Sequence, residues 1–152
     1  MRKFFAAFVA GLLLAGGPAS AEFSEEWEAY AAETRAACET FEAGLPSAAG
    51  ALPALTNAGD DYVWPRGTPG RPHTCLYFSV EIDDSGAPAD VSLLFKGPDN
   101  LNYKFVRAGM RLVKSRRYEA PGEGEAYAPV VTRIVIQSEP NWRFRYWVND
   151  IR

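Results

Sequence analysis

The chain has 152 residues, 19 acidic and 16 basic, with a formal net charge of −3. The part after position 21 suffices for one domain with one core and not two. Its net charge of −5 argues against nucleic acid as a partner.

Arg2 and Lys3 open the chain with positive charge, and Phe4 to Leu14 is an apolar run broken only by Gly11. That run is short of the ~20 residues a spanning helix needs. Gly16-Gly17-Pro18 break the helix, and Ala19-Ser20-Ala21 supplies the small-x-small pattern that a signal peptidase accepts. The pattern predicts a secretory signal peptide over 1–21, cleaved after Ala21, and a periplasmic protein beginning at Glu22. An uncleaved anchor is the alternative, because Phe4 to Ala21 carries no charge. Only in that case is a membrane contact expected.

Residues 22–45 read as an N-terminal amphipathic element, with a helix over 24–43. Ser24 is its cap, Glu25 and Glu26 suit the positive end of the helix dipole, and Gly44-Leu45-Pro46 ends it. Phe23, Trp27, Tyr30, Ala31, Thr34, Cys38, Phe41 and Leu45 recur at three- and four-residue steps and predict one inward stripe. Charge is lopsided here: residues 22–61 carry nine acids against Arg35 alone, a net of −8, whereas residues 62–152 have a net of +3. Residues 46–73, with Pro46, Pro53, Pro65, Pro69 and Pro72, form a connecting segment with one short helical turn expected around Ala51–Leu55.

From Thr74 the period changes to two. Leu76, Phe78, Val80 and Ile82 alternate with Tyr77, Ser79 and Glu81, then Asp83-Asp84-Ser85-Gly86 turns the chain, and Val91, Leu93 and Phe95 alternate again. Strands are expected over 74–83 and 88–96. Gly97-Pro98-Asp99-Asn100 precedes a helix over 100–115 with Leu101, Phe105, Val106, Leu112 and Val113 inward. Two more strands follow, 129–137 and 142–148, joined by Ser138-Glu139-Pro140-Asn141. The fold class is therefore α+β with a mainly antiparallel sheet of three to four strands.

Cys38 and Cys75 are the only cysteines, and an exported chain with an even pair points to one disulfide; two buried free thiols are the alternative. Alternation puts Cys75 on the face opposite Leu76, Phe78 and Val80. Tyr77, Leu94, Val131 and Val135 share that face, so the first helix is expected to cover it and bring Cys38 to Cys75.

Nothing in the sequence assembles a catalytic or cofactor centre. His73, the only histidine, reads as a solvated loop residue. The pairs Asp83-Asp84 and Asp60-Asp61 suit turns, where Asp bonds locally. Gly67-Thr68-Pro69-Gly70 is followed by no Lys-Ser/Thr and is no phosphate loop. No metal is expected either, since Cys-x-x-Cys spacing is absent. A non-enzyme without cofactors is the expectation.

Two surface patterns are candidates for partner binding. Lys104, Arg107, Arg111 and Lys114 fall at steps of three, four and three on the second helix, with Arg116 and Arg117 just beyond. They read either as a solvated face complementing the helix terminus or as a dock for an acidic partner or anionic cell-wall polymer. The run Trp142-Arg143-Phe144-Arg145-Tyr146-Trp147 alternates, with Trp142, Phe144, Tyr146 and Val148 on one side and Arg143, Arg145 and Trp147 on the other. That suits a protected edge strand or a glycan-binding strip.

Residues 76–137 resemble the carboxyl-terminal domain of the TonB energy transducers. The resemblance rests on Phe78-Ser79-Val80-Glu81-Ile82, the turn Asp83-Asp84-Ser85-Gly86, Ala89-Asp90-Val91-Ser92-Leu93, the helix from Asn100, Arg117-Tyr118-Glu119-Ala120-Pro121, the Gly122–Ala126 loop and the strand Val130–Ile136. It assigns residues 74–152 to a TonB-like domain and implies a periplasmic or envelope protein as partner, bound by strand addition at the last strand or through the basic helix face. The long Pro-rich spacer of a tethered transducer has no counterpart, so a free-standing protein-binding relative is implied. Trp142 to Val148 would fold back along that last strand and cover the edge. A cell-wall or glycan-binding module and a structural subunit of an envelope complex are the alternatives.

Overall fold

A computed structural model describes residues 24–47, 50–69, 73–138 and 143–152. Helix α1 spans Glu25–Ala43. The extended Ser24 caps it by accepting a hydrogen bond from the Trp27 amide, and Glu25, Glu26 and Glu28 occupy the first turn, where the dipole favours anions. Gly44 closes it by donating to the carbonyls of Thr40 and Phe41. The later elements are β1 (Leu55–Asn57), β2 (Thr74–Ile82), β3 (Pro88–Gly97), α2 (Tyr103–Ser115), β4 (Arg117–Tyr118), β5 (Val130–Ser138) and β6 (Phe144–Asp150).

The α+β class is as expected: among the described residues there are two helices and two antiparallel sheets, one of four strands in the order β3-β2-β5-β6 and a small one pairing β1 with β4. Helix α2 starts later than position 100 because Asn102, not Asn100, is its cap, its side chain accepting from the Lys104 amide at 2.9 Å. The helical turn expected around Ala51–Leu55 is not formed. Leu55 pairs with Tyr118, and the Ala54 carbonyl accepts from the Glu119 amide at 2.8 Å, so distant strand partners take the hydrogen bonds a local turn would have used. No described helix is long and apolar enough to cross a membrane.

Each face of the sheet carries one of the helices. On one, Leu76, Phe78, Val80, Val91, Val130, Ile134 and Ile136 meet the inward stripe of α2, and Leu101, Phe105, Val106, Leu112 and Val113 are all buried. Gly109 permits this close approach. A Cβ there would lie 2.8 Å from Leu76 Cδ1, 3.1 Å from the Phe78 ring and 3.2 Å from Ile134 Cδ1. Helix α2 reaches β2 and β3, and the connecting segment covers what remains. Tyr62 is buried beside Phe144 and Tyr146, and the Trp64 ring stands 5.0 Å from Phe105 and 4.9 Å from Phe144.

Helix α1 covers β2 and β3 on the other face. Cys38 is disulfide-bonded to Cys75, with Cα atoms 6.3 Å apart. Gly97, opposite Cys75 in the register, leaves room for the bridge: a Cβ on it would come within 3.0 Å of both sulfurs. Phe41 stacks on Phe95 at 4.6 Å and tilts against Tyr77 at 4.9 Å. Phe95 and Leu94 depart from simple alternation. Phe78 pairs with Leu93 but Tyr77 pairs with Phe95, so Leu94 is a bulge residue without an opposite number. The bulge turns Phe95 to the α1 side and leaves Leu94 43% exposed. On the inward stripe of α1, Ala31, Thr34 and Cys38 are buried, while Trp27 is exposed; Phe23 lies outside the described residues.

Candidate interaction surfaces

Lys104, Arg107, Arg111 and Lys114 all lie on the exposed side of α2, a helix that contains no acidic residue. They do not stand alone. The connecting segment runs beside them, and Val63, Trp64, Pro65 and Arg66 form the opposite bank of a shallow groove of about 410 Å³. The Lys104 ammonium donates to the Arg66 carbonyl at 3.3 Å, and the Arg107 guanidinium sits 5.6 Å from the Tyr103 ring centroid. Val63 is 69% exposed at the groove's lip. Among the described residues the ion pairs are Arg116–Asp150 and Arg133–Glu42, so none of the groove's four cations, Arg66 included, forms an ion pair with a described carboxylate. Arg66 and Trp64 had no signal in the sequence, because a loop's return to a helix face leaves no periodic mark.

Arg116 does not belong to this stripe. It is 3% exposed, and its Nη1 donates to Asp150 Oδ1 at 2.6 Å. Thr132 Oγ1 donates to the same oxygen at 2.7 Å, and the Tyr118 ring lies under the guanidinium. The Tyr118 phenol is pushed up, first by burial and then by the Asp150 carboxylate. Arg117 stays exposed, and its Nη1 donates to the carbonyls of Lys114 and Arg116 at the end of α2.

The residues near the end of the chain divide between two surfaces. Strand β6 pairs along β5 from Phe144–Ser138 to Asp150–Thr132, so the outer edge of β5 is occupied. Phe144, Tyr146 and Val148 face the α2 side and pack against its core. Phe144 is thereby part of the aromatic cluster around Trp64 and not of an open surface. Arg145, Trp147 and Asn149 face the α1 side and are exposed, and Arg143 is exposed just before the strand. Trp142 lies outside the described residues.

His73 is buried at 6% exposure, not solvated. It ends the connecting segment where β2 begins, and burial takes it under α1. Its Nδ1 has no hydrogen-bond partner among the described residues. Burial and then the Arg35 charge hold the imidazole below its ordinary value, with Glu39 opposing. One acid of each acidic pair has a structural bond. Asp83 accepts from the Ser85 amide and hydroxyl and the Ala87 amide, which lowers its carboxyl, and Asp61 accepts from the Tyr146 phenol at 2.8 Å. Among the described residues, no group of three metal-ligating side chains comes together.

Comparison of the chain with protein-family models, with curated proteins and with solved structures gives no match.

Proposed function

We propose that the protein is a non-catalytic binding module of the cell envelope, exported to the periplasm by residues 1–21, whose working surface is the cationic groove between α2 and Val63–Arg66. Its partner is an acidic segment of another envelope protein. The observation that carries this reading is the clustering of Arg66, Lys104, Arg107 and Arg111 around one groove, none of them in an ion pair with a described carboxylate. Four like charges held together repel one another, and an anionic partner removes that cost.

The relation to TonB carboxyl-terminal domains belongs to the same proposal. The hairpin β2–β3, the helix α2 and the strand β5 support it by their order. Strand addition at β5 is closed in this chain because β6 already pairs there, which favours recognition through the helix face over energy transduction.

The test is capture of periplasmic proteins on the immobilised mature chain, with the Lys104→Glu/Arg111→Glu pair as control. A specific partner should be retained at low salt, released at about 0.5 M salt, where screening shortens the reach of surface charge to a few ångströms, and lost in the reversal pair. Retention that ignores both salt and reversal would refute the reading.

A further inference from the structure

The groove beside α2 carries cations on both banks, and the same chain presents a surface of the opposite sign on the other face of the sheet. Glu26, Ala29, Glu33 and Ala36 follow one another along α1 at steps of three, four and three, and all four are exposed. They form one ridge pointing away from the sheet, with only methyl groups between its carboxylates. Among the described residues the glutamate of α1 that forms an ion pair is Glu42, with Arg133, and it is not part of this ridge. Lys104, Arg107, Arg111 and Lys114 repeat the same steps on α2. Glu26 and Glu33 are seven residues apart, as are Lys104 and Arg111. At 1.5 Å of rise per residue both pairs span about 10 Å, so two such helices laid side by side bring two carboxylates to two cations at once. Ala108, the small residue of the groove between Lys104 and Arg111, leaves room for a ridge this narrow.

We infer that the groove takes α1 of a second copy of this chain, so that molecules join head to tail. This rests on the groove being the protein's working surface. Each copy has one ridge and one groove on opposite faces of one sheet, so two copies cannot satisfy both contacts reciprocally. A pair keeps a vacant groove at one end and a vacant ridge at the other, and each added molecule restores both. Net charge opposes the assembly, since each mature chain carries −5. Salt decides the balance. At about 0.1 M the Debye length is about 10 Å, which screens repulsion between whole molecules but not attraction between pairs in contact. Assembly also regulates the groove: one that holds a neighbour's α1 is closed to the envelope partner.

Sedimentation velocity of the mature chain, from micromolar to near-millimolar concentration, tests the assignment. At about 0.1 M salt the weight-average coefficient should climb with concentration past the value of a dimer. At about 1 M, where the Debye length is about 3 Å, it should stay at that of the monomer. Lys104→Gln/Arg111→Gln removes charge from the groove and keeps the ridge, and Glu26→Gln/Glu33→Gln does the reverse. All four side chains are exposed, so both variants should keep the thermal unfolding of the parent. Each alone should remain monomeric, and an equal mixture of the two should form a one-to-one dimer and stop there. Association of the parent that ends at the dimer, that survives 1 M salt or that survives either substitution pair would overturn the assignment, as would a mixture that does not associate. A parent that stays monomeric while its groove still captures a salt-sensitive envelope partner would overturn this inference alone. Loss of that capture as well would remove the groove reading with it.

Discussion

Removing the Cys38–Cys75 bridge is expected to loosen α1 while leaving the α2 side of the sheet folded. The bridged residues are 37 apart in sequence. Freeing a loop of that length returns to the unfolded chain an entropy worth about 4 kcal/mol at 25 °C in the chain-entropy model. For a domain of this size that is a fall in Tm of about 15 °C. Without the bridge, α1 is held by buried Ala31 and Thr34, the half-buried Phe41 against Phe95 and Tyr77, and the Glu42 contacts to Tyr77 and Arg133. This small apolar patch is far less than the thirteen-residue cluster of the α2 side provides. Thermal unfolding of Cys38→Ala/Cys75→Ala, with amide hydrogen exchange on the same sample, measures both effects. Residues of α1 should lose more protection than those of β2 and β5, which fall only by the global destabilisation. A Tm change of less than about 4 °C, or equal loss of protection in α1 and β5, would refute the reasoning.

Three further outcomes follow from buried groups. Asp150→Ala strands the Arg116 guanidinium in a site 3% exposed and should cost about 3–5 kcal/mol in urea unfolding, whereas Glu42→Gln at the half-open Arg133 pair should cost less than about 1 kcal/mol. Gly109→Val drives carbon into Leu76, Phe78 and Ile134 and should destabilise by about 3 kcal/mol, measurable by the same method. His73 has a depressed value in the folded state, so the unfolded chain binds the proton first. Stability from this site is complete above about pH 6.5, declines as pH falls below it, and levels off below the native value. Urea midpoints between pH 7.5 and 5 should show that decline in the parent and lack it in His73→Phe.

Strands β2, β5 and β6, the hairpin and both helices were legible because each follows a local period set by its own inward face. The alternation of Leu76, Phe78 and Val80 needs no knowledge of the rest of the chain. Pairing of Cys38 with Cys75 was legible for a related reason, since parity alone puts Cys75 on the face opposite α2. What escaped depended on remote partners. Leu55–Asn57 is three exposed residues whose strand exists only because Arg117 and Tyr118 run beside it. Arg116 looked like a continuation of the basic stripe until the helix ended and the chain turned it toward Asp150, 34 residues on. Leu94 broke the alternation of β3 without any glycine or proline to announce a bulge.

Placing α1 and α2 on opposite faces of one sheet separates their charges as well as their cores. Helix α1 bears six glutamates and one arginine, and α2 bears four cations and no acid. About 20 Å of protein, two packed layers, stands between them. A molecule with net negative charge is therefore also a strong electric dipole, and near a negatively charged surface it experiences a torque before it makes any contact. Approach is biased to the α2 side first, with the acidic helix trailing. Such an orientation changes how often an encounter is productive more than how long it lasts, and it fades as ionic strength rises.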